Sequence, residues 1–193
     1  MVDSTPTSRS ERSDAVLNRA RILDAARHIF AIRGLEAEMK DIAARADVGV
    51  GTLYRHFESR DGLLAALLDE TRAELLVRVQ SAVADHTPAD AFRAIFVAAA
   101  DVFERFGALI EVAMARKLDV DERQHDEFTT IMDTLLARGV SDGAFRPDLD
   151  ISVTRAAVES VFISGKFVEL ARDRGYSAAA DALSRAFLHG MTA

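Results

Sequence analysis

Two short helical patterns in residues 39–57 leave hydroxyl, basic and aromatic side chains together on one face. The Thr52 hydroxyl and methyl and the Arg55 guanidinium are groups that can reach base edges in the major groove of DNA. Tyr54 and His56 suit phosphate oxygens, which fix the register of a protein on the duplex without reading its sequence. The whole outer row of the second pattern is Val50, Gly51, Thr52, Tyr54, Arg55 and His56.

Three neighbouring positions extend this predicted nucleic-acid interface. Gly51 has no side chain, so the backbone there can approach DNA closely. Arg45, on the outside of the first pattern near its end, is a candidate for a phosphate or base contact, and Arg60 is a candidate for a phosphate contact. The predicted DNA-binding residues are therefore Arg45, Val50, Gly51, Thr52, Tyr54, Arg55, His56 and Arg60.

The two patterns lie too close together for an ordinary helical hairpin. The first turns Met39, Ile42, Ala43 and Ala46 to one face, and the second turns Leu53 and Phe57 inward. Val48 lies between them and fills the turn, while the small side chain of Ala43 allows the second helix to cross closely. This spacing predicts a helix-turn-helix, whose second helix enters the major groove.

The same residues resemble the N-terminal signature of the TetR family of transcriptional regulators. The resemblance covers about residues 18–65, and its upstream part is Ala20-Arg21-Ile22-Leu23-Asp24-Ala25-Ala26 through Phe30 and Gly34. Its downstream part is Ile42-Ala43, Ala46, Val48, Gly51-Thr52-Leu53-Tyr54-Arg55-His56-Phe57, Ser59-Arg60-Asp61 and Leu63. The resemblance implies a homodimer that binds double-stranded operator DNA, usually as a repressor. It also implies a C-terminal domain that binds a small-molecule effector and thereby releases DNA.

Two residues depart from the family pattern. Asp47 stands in the turn where the family usually has Gly, at a position that often requires a left-handed backbone, which Asp tolerates better than most residues. Glu38 stands where the family tends to cap the first helix with Ser, Thr or Pro. Its charge favours the helix dipole but would repel a phosphate.

Apolar residues that repeat at three and four positions predict an all-α fold of about nine helices. We expect a flexible arm over residues 1–15, a helix-turn-helix domain over 16–62, and a helical effector-binding and dimerisation domain over 63–193. Thr87-Pro88 predicts a helix start. Further helices are expected from Asp121 to Arg138, from Asp150 to Arg172 and from Ser177 to His189, ended by Gly139, near Gly175 and by Gly190.

Phenylalanines in the C-terminal two thirds could line an effector cavity, although any helical core would look the same. A few polar groups would have to select the ligand. The candidate effector residues are Phe96, Phe103, Glu104, Glu111, His125, Phe128 and Phe162.

Small residues on the last two expected helices allow close helix approach. They could form a four-helix interface around a two-fold axis, as the family resemblance predicts, or an ordinary internal packing face. The candidate dimer residues are Val153, Ala157, Val161, Ser164, Gly165, Val168, Ala182 and Ala186.

Composition excludes several other classes of protein. The 193 residues contain no cysteine, which excludes disulfides, thiolate metal sites and Cys nucleophiles, and they carry a net charge of -7. No apolar run reaches the ~20 residues of a membrane span, so we expect a cytoplasmic protein. Glu122 and His125 have the spacing of a metal pair on a helix, but no second such pair occurs. We expect no metal, no cofactor and no catalytic residues.

A rival interpretation is a helical small-molecule-binding protein whose DNA-binding motif has lost its function. Residues 1–60 carry ten basic and nine acidic residues, a net charge of only +1, which keeps this alternative open. An activator that uses the same DNA-binding domain is a further alternative. The sequence specifies neither the operator nor the effector.

Overall fold

The computed structural model of the chain describes residues 7–116 and 122–192, and the regular secondary structure in this part is helical. Its nine α-helices confirm the all-α prediction. They are α1 Thr7–Arg33, α2 Met39–Ala46, α3 Val50–His56, α4 Arg60–Asp85, α5 Pro88–Ala115, α6 Glu122–Ser141, α7 Ile151–Ile163, α8 Lys166–Arg174 and α9 Tyr176–Met191. A short 3-10 helix, Gly34–Glu36, follows α1. None of the helices in the described ranges is long and apolar enough to cross a membrane.

The chain divides into two compact units, Met1–Leu68 and Asp69–Ala193. The division falls inside α4, six residues beyond the boundary expected from the sequence. In the N-terminal unit, α1 packs on α2 and α2 packs on α3. The core of this unit is fully apolar and contains Ile22, Phe30, Ile42, Leu53, Leu63, Leu64 and Leu67, each with no exposed surface.

The C-terminal unit is built around α5, the longest of its helices. Helix α5 packs on α9 and α6, and α7 and α8 complete the layer through contacts with α6 and α9. Its buried face carries Phe92 and Phe96 with no exposed surface, and α6 contributes Met132, Leu135 and Leu136. The apolar residues that repeat along α5 therefore place its phenylalanines in one core of the C-terminal unit.

Helix starts were predicted correctly where a local cap defines them. The Thr87 hydroxyl accepts a hydrogen bond from the Asp90 amide at 3.3 Å, with Pro88 at the first helical position. The Asp150 carboxylate accepts one from the Val153 amide at 3.0 Å, and this bond lowers the pKa of Asp150.

Helix ends at glycine were predicted less well, because a glycine also serves close packing. Helix α6 continues through Gly139 to Ser141, and α9 continues through Gly190 to Met191, so both predicted ends were wrong. An added Cβ on Gly139 would lie 2.0 Å from the Phe145 ring. Gly139 is therefore required by this contact rather than by a helix end.

The expected long helix from Asp150 to Arg172 is interrupted. Ser164 ends α7 and Gly165 adopts a left-handed backbone with φ 76° before α8 begins. Gly175, with φ 82°, ends α8 as predicted. The prediction of one continuous helix was wrong, since Gly165 has the freedom to change the chain direction.

Helix α1 extends back to Thr7, so residues 7–15 are helical where the sequence predicted a flexible arm. Ser, Arg, Glu and Asp in this stretch disfavour a packed core, but they cost little in the backbone of a helix that continues into a core-forming one. Residues 1–6 lie outside the described part of the chain.

Arg138 closes the C-terminal end of α4. Its guanidinium donates hydrogen bonds to the carbonyls of Val83 and His86, both at 2.9 Å. These carbonyls have no following helical amide to accept from. The contact fixes the end of α4 to α6 within the C-terminal unit.

Candidate functional site

The helix-turn-helix predicted for residues 39–57 is present. Met39, Ile42, Ala43 and Ala46 of α2 are buried, and Leu53 of α3 has no exposed surface. These positions repeat at three and four, so one stripe of each helix faces the core. The row on the other side of α3 is left facing outward.

The turn between α2 and α3 is held by backbone hydrogen bonds. The Val48 amide donates to the Ala43 carbonyl at 3.1 Å, and the Asp47 amide donates to Ala44 at 3.3 Å. Asp47 has φ 55° and ψ 47°, which places it in the left-handed region predicted from the family pattern. Among non-glycine residues of the described chain, Asp47 alone has positive φ.

The outer face of α3 carries the predicted DNA-binding residues. Val50 is 44% and Tyr54 45% exposed. Gly51 and Arg55 are exposed, and Thr52 and His56 are half-buried. Within the described residues, no ion pair or side-chain hydrogen bond occupies Tyr54, Arg55 or the exposed Arg45. These three side chains are available to a partner.

Arg60 differs from the rest of the predicted set. It is half-buried at the start of α4, and its guanidinium lies 5.5 Å from the centre of the Phe30 ring. The helix start itself is capped by Ser59, whose hydroxyl accepts from the Gly62 amide at 3.0 Å. Arg60 therefore packs on α1, and its phosphate contact stays a prediction.

The end of α3 is fixed to α1 by a cation–π contact. The Arg19 guanidinium lies 5.4 Å from the centre of the Phe57 ring, and Phe57 is 6% exposed. The contact restrains the last turn of α3, where Arg55 and His56 lie.

Two basic residues around α2 are paired with acids. Lys40 lies 2.7 Å from Glu38, and Arg21 of α1 lies 3.4 Å from Asp47. The hydrogen bond between Lys40 and Glu38, and then their opposite charges, lower the pKa of Glu38 and raise the pKa of Lys40. Glu38 makes no side-chain cap hydrogen bond to α2.

Two basic residues near the interface were missed by sequence reasoning. Arg21 lies with Arg45 in a cleft between α1 and α2, of about 300 Å³, which is also lined by Asp24, Ala25 and Ala46. Lys40 occupies the first turn of α2. A signal was present for Lys40, since it is the single lysine of the N-terminal unit. No local pattern brings Arg21 beside Arg45, because their contact depends on the crossing of two helices.

The candidate effector residues of the C-terminal unit differ in burial, and only some of them lie in its core. Phe96 has no exposed surface and Phe103 is 6% exposed. Phe128 and Phe162 are half-buried, whereas Glu104, Glu111 and His125 are exposed. Phe162 lies 5.4 Å from Phe96 and 6.1 Å from Phe103 between ring centres.

Phe167 and Tyr176 complete this aromatic cluster, and of the two only Tyr176 was missed among the aromatic residues that the sequence offered for an effector cavity. Phe167 lies 5.0 Å from both Phe103 and Phe162. The Tyr176 hydroxyl lies 2.7 Å from where a Cβ on Gly107 would be. Burial, then the charge of Glu111, raises the pKa of Tyr176. Arg172 acts on the same hydroxyl in the opposite direction, so charges of both signs lie near this side of the aromatic cluster.

The candidate dimer residues are mostly accessible. Val153 is 63% exposed, Ala157, Ser164 and Ala186 are exposed, and Val161, Gly165 and Ala182 are half-buried. Val168 is 4% exposed and lies in the core of the unit, so its assignment to an interface was wrong.

Comparison with known proteins identifies the family of this fold. The family model described as "Bacterial regulatory proteins, tetR family" matches residues 22–67. The repressor KstR2 of Mycolicibacterium smegmatis is 30% identical over 163 residues, covering 79% of this chain and 77% of that protein.

Two solved structures share the fold. The ketosteroid transcriptional regulator KstR2 of Mycobacterium tuberculosis matches with a TM-score of 0.69 and 24% identity over the whole of both chains. FadR of Bacillus subtilis, solved with stearoyl-CoA, matches with a TM-score of 0.72 and 18% identity over 89% of this chain and 98% of that one. The chain belongs to the TetR family of helix-turn-helix transcriptional repressors.

Proposed function

We propose that this repressor binds an inverted-repeat DNA operator as a homodimer and reads each half-site with α3. The observation that carries the proposal is the outward row of α3, where Tyr54 and Arg55 have no partner within the described residues. Arg55 supplies a bidentate donor for guanine, and Thr52 supplies a hydroxyl and a methyl for base edges. Tyr54 and His56 bind phosphates, and Arg45 supports them from α2.

A second copy of the chain is the expected partner of α7 and α9. Their exposed faces combine small and apolar side chains, including Ala157 and Ala186, with Val153 at 63% and Ile163 at 59% exposure. Exposed apolar side chains among small residues are typical of close helix-to-helix interfaces. A two-fold dimer supplies two copies of α3, which an operator with two half-sites requires.

Selection from a random duplex library tests the DNA-binding proposal. Purified full-length protein is expected to retain fragments that contain an inverted repeat, because a two-fold dimer reads two identical half-sites. Retention of a single unrepeated site would contradict the dimer. Retention of no sequence above background would contradict sequence reading by α3 and favour a chain that has kept only effector binding.

The effector we propose is a largely apolar molecule, of the acyl-CoA or ring-fused acyl class, which the aromatic cluster binds. Stearoyl-CoA in FadR and the ketosteroid regulation named for KstR2 support this class. The half-buried Phe162 is the cluster member that can move with least loss of packing, since Phe96 and Phe167 have no exposed surface.

Induction follows from a difference in affinity between two conformations. An effector that binds better to the conformation with wrongly spaced α3 helices shifts the population away from DNA binding. By linkage, operator DNA must weaken effector binding by the same factor, typically about 5- to 150-fold. The protein would act in the bacterial cytoplasm, where the chromosome lies.

A tryptophan in place of Phe162 would report binding of an effector in the aromatic cluster through its fluorescence. The chain contains no Trp, so Phe162→Trp introduces one fluorophore beside Phe96 and Phe103. Stearoyl-CoA is expected to shift its emission, whereas free CoA is expected to leave it unchanged. A Trp at the exposed Val97 serves as the matched control. Equal shifts at both positions would contradict binding in the aromatic cluster.

A further inference from the structure

The DNA-reading part of the chain is electrically balanced, which is unusual for a surface that approaches phosphates. Residues 38–60 contain four acidic and four basic residues. The acidic ones are Glu38, Asp41, Asp47 and Glu58, and the basic ones are Lys40, Arg45, Arg55 and Arg60. Sequence-independent affinity for DNA depends on basic side chains that replace counterions on phosphates. The positions of the Asp and Glu side chains therefore decide how many Lys and Arg side chains are available to DNA phosphates.

Acids at both ends of α2 are paired with cations. Glu38 lies 2.7 Å from Lys40 at the start of the helix, and Asp47 lies 3.4 Å from Arg21 at its end. The Asp47 side chain is 90% exposed and that of Arg21 54%. Lys40 is 67% and Glu38 57% exposed. All four groups are therefore open to a partner that approaches from solvent.

Both pairs lie where DNA phosphates come close. In a helix-turn-helix the first helix crosses the DNA backbone while the second lies in the major groove. Asp47 precedes Val50 by three residues, so the two Cα atoms are at most about 11 Å apart. Asp47 therefore lies in the turn that leads directly into the helix proposed to enter the groove.

We propose that Glu38 and Asp47 withhold Lys40 and Arg21 from the DNA backbone and so limit the sequence-independent affinity of the repressor. The inference rests on DNA binding through α3, as proposed above. Each pair has no net charge, so it releases no counterion on binding. Exposed ion pairs are weak, with a median near 0 to 1 kcal/mol. If a phosphate takes the cation, however, the carboxylate stays beside the DNA without a partner.

Arg45 provides the internal contrast. It lines the same cleft as Arg21, but no ion pair holds it within the described residues. Arg45 therefore contributes a full positive charge to the duplex, while Arg21 contributes none. Of the two arginines that line the cleft, Arg45 is therefore available to a DNA phosphate and Arg21 is not.

Charge removal at each acid tests the proposal. Asp47→Asn keeps a side chain that tolerates the left-handed backbone, and Glu38→Gln keeps the length of the side chain. The probe is a short duplex of scrambled sequence, and binding to the full chain is measured by anisotropy between 50 and 200 mM salt. Each freed cation is expected to steepen the slope of log affinity against log salt by about 0.9, which adds a roughly 3.5-fold loss over that range.

Two controls separate a freed cation from a change in total charge. Glu36→Gln removes the same charge from an exposed residue with no ion-pair partner in the described chain, and its slope is expected to stay unchanged. Arg21→Gln is also expected to leave the slope unchanged, because Arg21 is withheld already. The double change Arg21→Gln with Asp47→Asn is expected to return the slope to that of the unmodified protein.

The outcomes distinguish this inference from the proposal it rests on. Unmodified protein that binds neither scrambled nor selected duplex would overturn DNA binding itself. Protein that binds, with a slope unchanged by Asp47→Asn or Glu38→Gln, would overturn the inference for that pair. A slope reduced by about 0.9 in Arg21→Gln would also overturn it for Asp47, since Arg21 would then already contact phosphate. This last arm does not depend on how the Asp47 variant folds.

Discussion

Gly139→Ala is expected to destabilise the protein by about 1 kcal/mol, although the same change stabilises an open helix position. An ideal Cβ on Gly139 would lie 2.0 Å and 2.2 Å from two carbons of the Phe145 ring. Phe145 is 2% exposed, and its amide donates to the Gly139 carbonyl at 2.9 Å. The ring therefore has no room to withdraw, and overpacking of this kind typically costs about 1 to 3 kcal/mol. The usual helical gain of alanine over glycine, about 1 kcal/mol, offsets part of this cost.

Gly190→Ala is the matched control for this prediction. Gly190 also lies inside a helix, α9, but nothing lies within 4 Å of an added Cβ. Urea unfolding followed by far-UV circular dichroism is the measurement, since the chain has no Trp. The control is expected to raise the midpoint and Gly139→Ala to lower it. Equal midpoints for the two variants would show that Phe145 moves aside without cost.

A double change assigns the cost to the Phe145 ring. Phe145→Ala alone is expected to cost about 3 to 5 kcal/mol, as large core truncations do. With the ring removed, Gly139→Ala has space for its Cβ and is expected to add no further loss. Residues in contact couple in this way, by up to about 3 kcal/mol. Additive losses would place the strain elsewhere.

Arg55→Ala is expected to abolish discrimination at one base position of each operator half-site. A bidentate arginine to guanine provides about 1 to 3 kcal/mol of discrimination, or about 5- to 150-fold in affinity. Arg55 is exposed on α3 and has no ion-pair partner in the described chain. The measurement compares binding to the selected operator with binding to single-base variants of it.

Tyr54→Phe is the control for base reading. The lost hydroxyl is expected to weaken binding to all sequences alike, because a phosphate contact carries no sequence information. If Arg55→Ala leaves every base preference unchanged, Arg55 contacts the backbone instead. If Tyr54→Phe alters the preference at one position, the hydroxyl of Tyr54 reads a base.

The parts of the fold that the sequence predicts well depend on neighbours along the chain. The buried stripe of α2 and the caps Thr87 and Asp150 are local, because each involves residues within four positions. The left-handed backbone of Asp47 was expected from the family resemblance, because the family usually has Gly at this position of the turn.

The parts that it predicts poorly depend on distant residues. The Phe145 ring explains why a glycine stands at position 139 inside α6. No sequence pattern around Gly139 distinguishes a glycine required by such a contact from one that ends a helix. Gly165 interrupts an apolar period that continues on both sides of it. The pairing of Arg21 with Asp47 joins residues 26 positions apart, so the candidate interface could be predicted but its charge balance could not.

Arg138 determines how α4 can take part in any conformational change. Helix ends normally fray, and the last turn opens with almost no free energy. In α4 that turn is held by two guanidinium hydrogen bonds to the carbonyls of Val83 and His86. Its amide protons should exchange with solvent only when the surrounding core opens. Local melting of this end of α4 is therefore suppressed for as long as Arg138 keeps both hydrogen bonds.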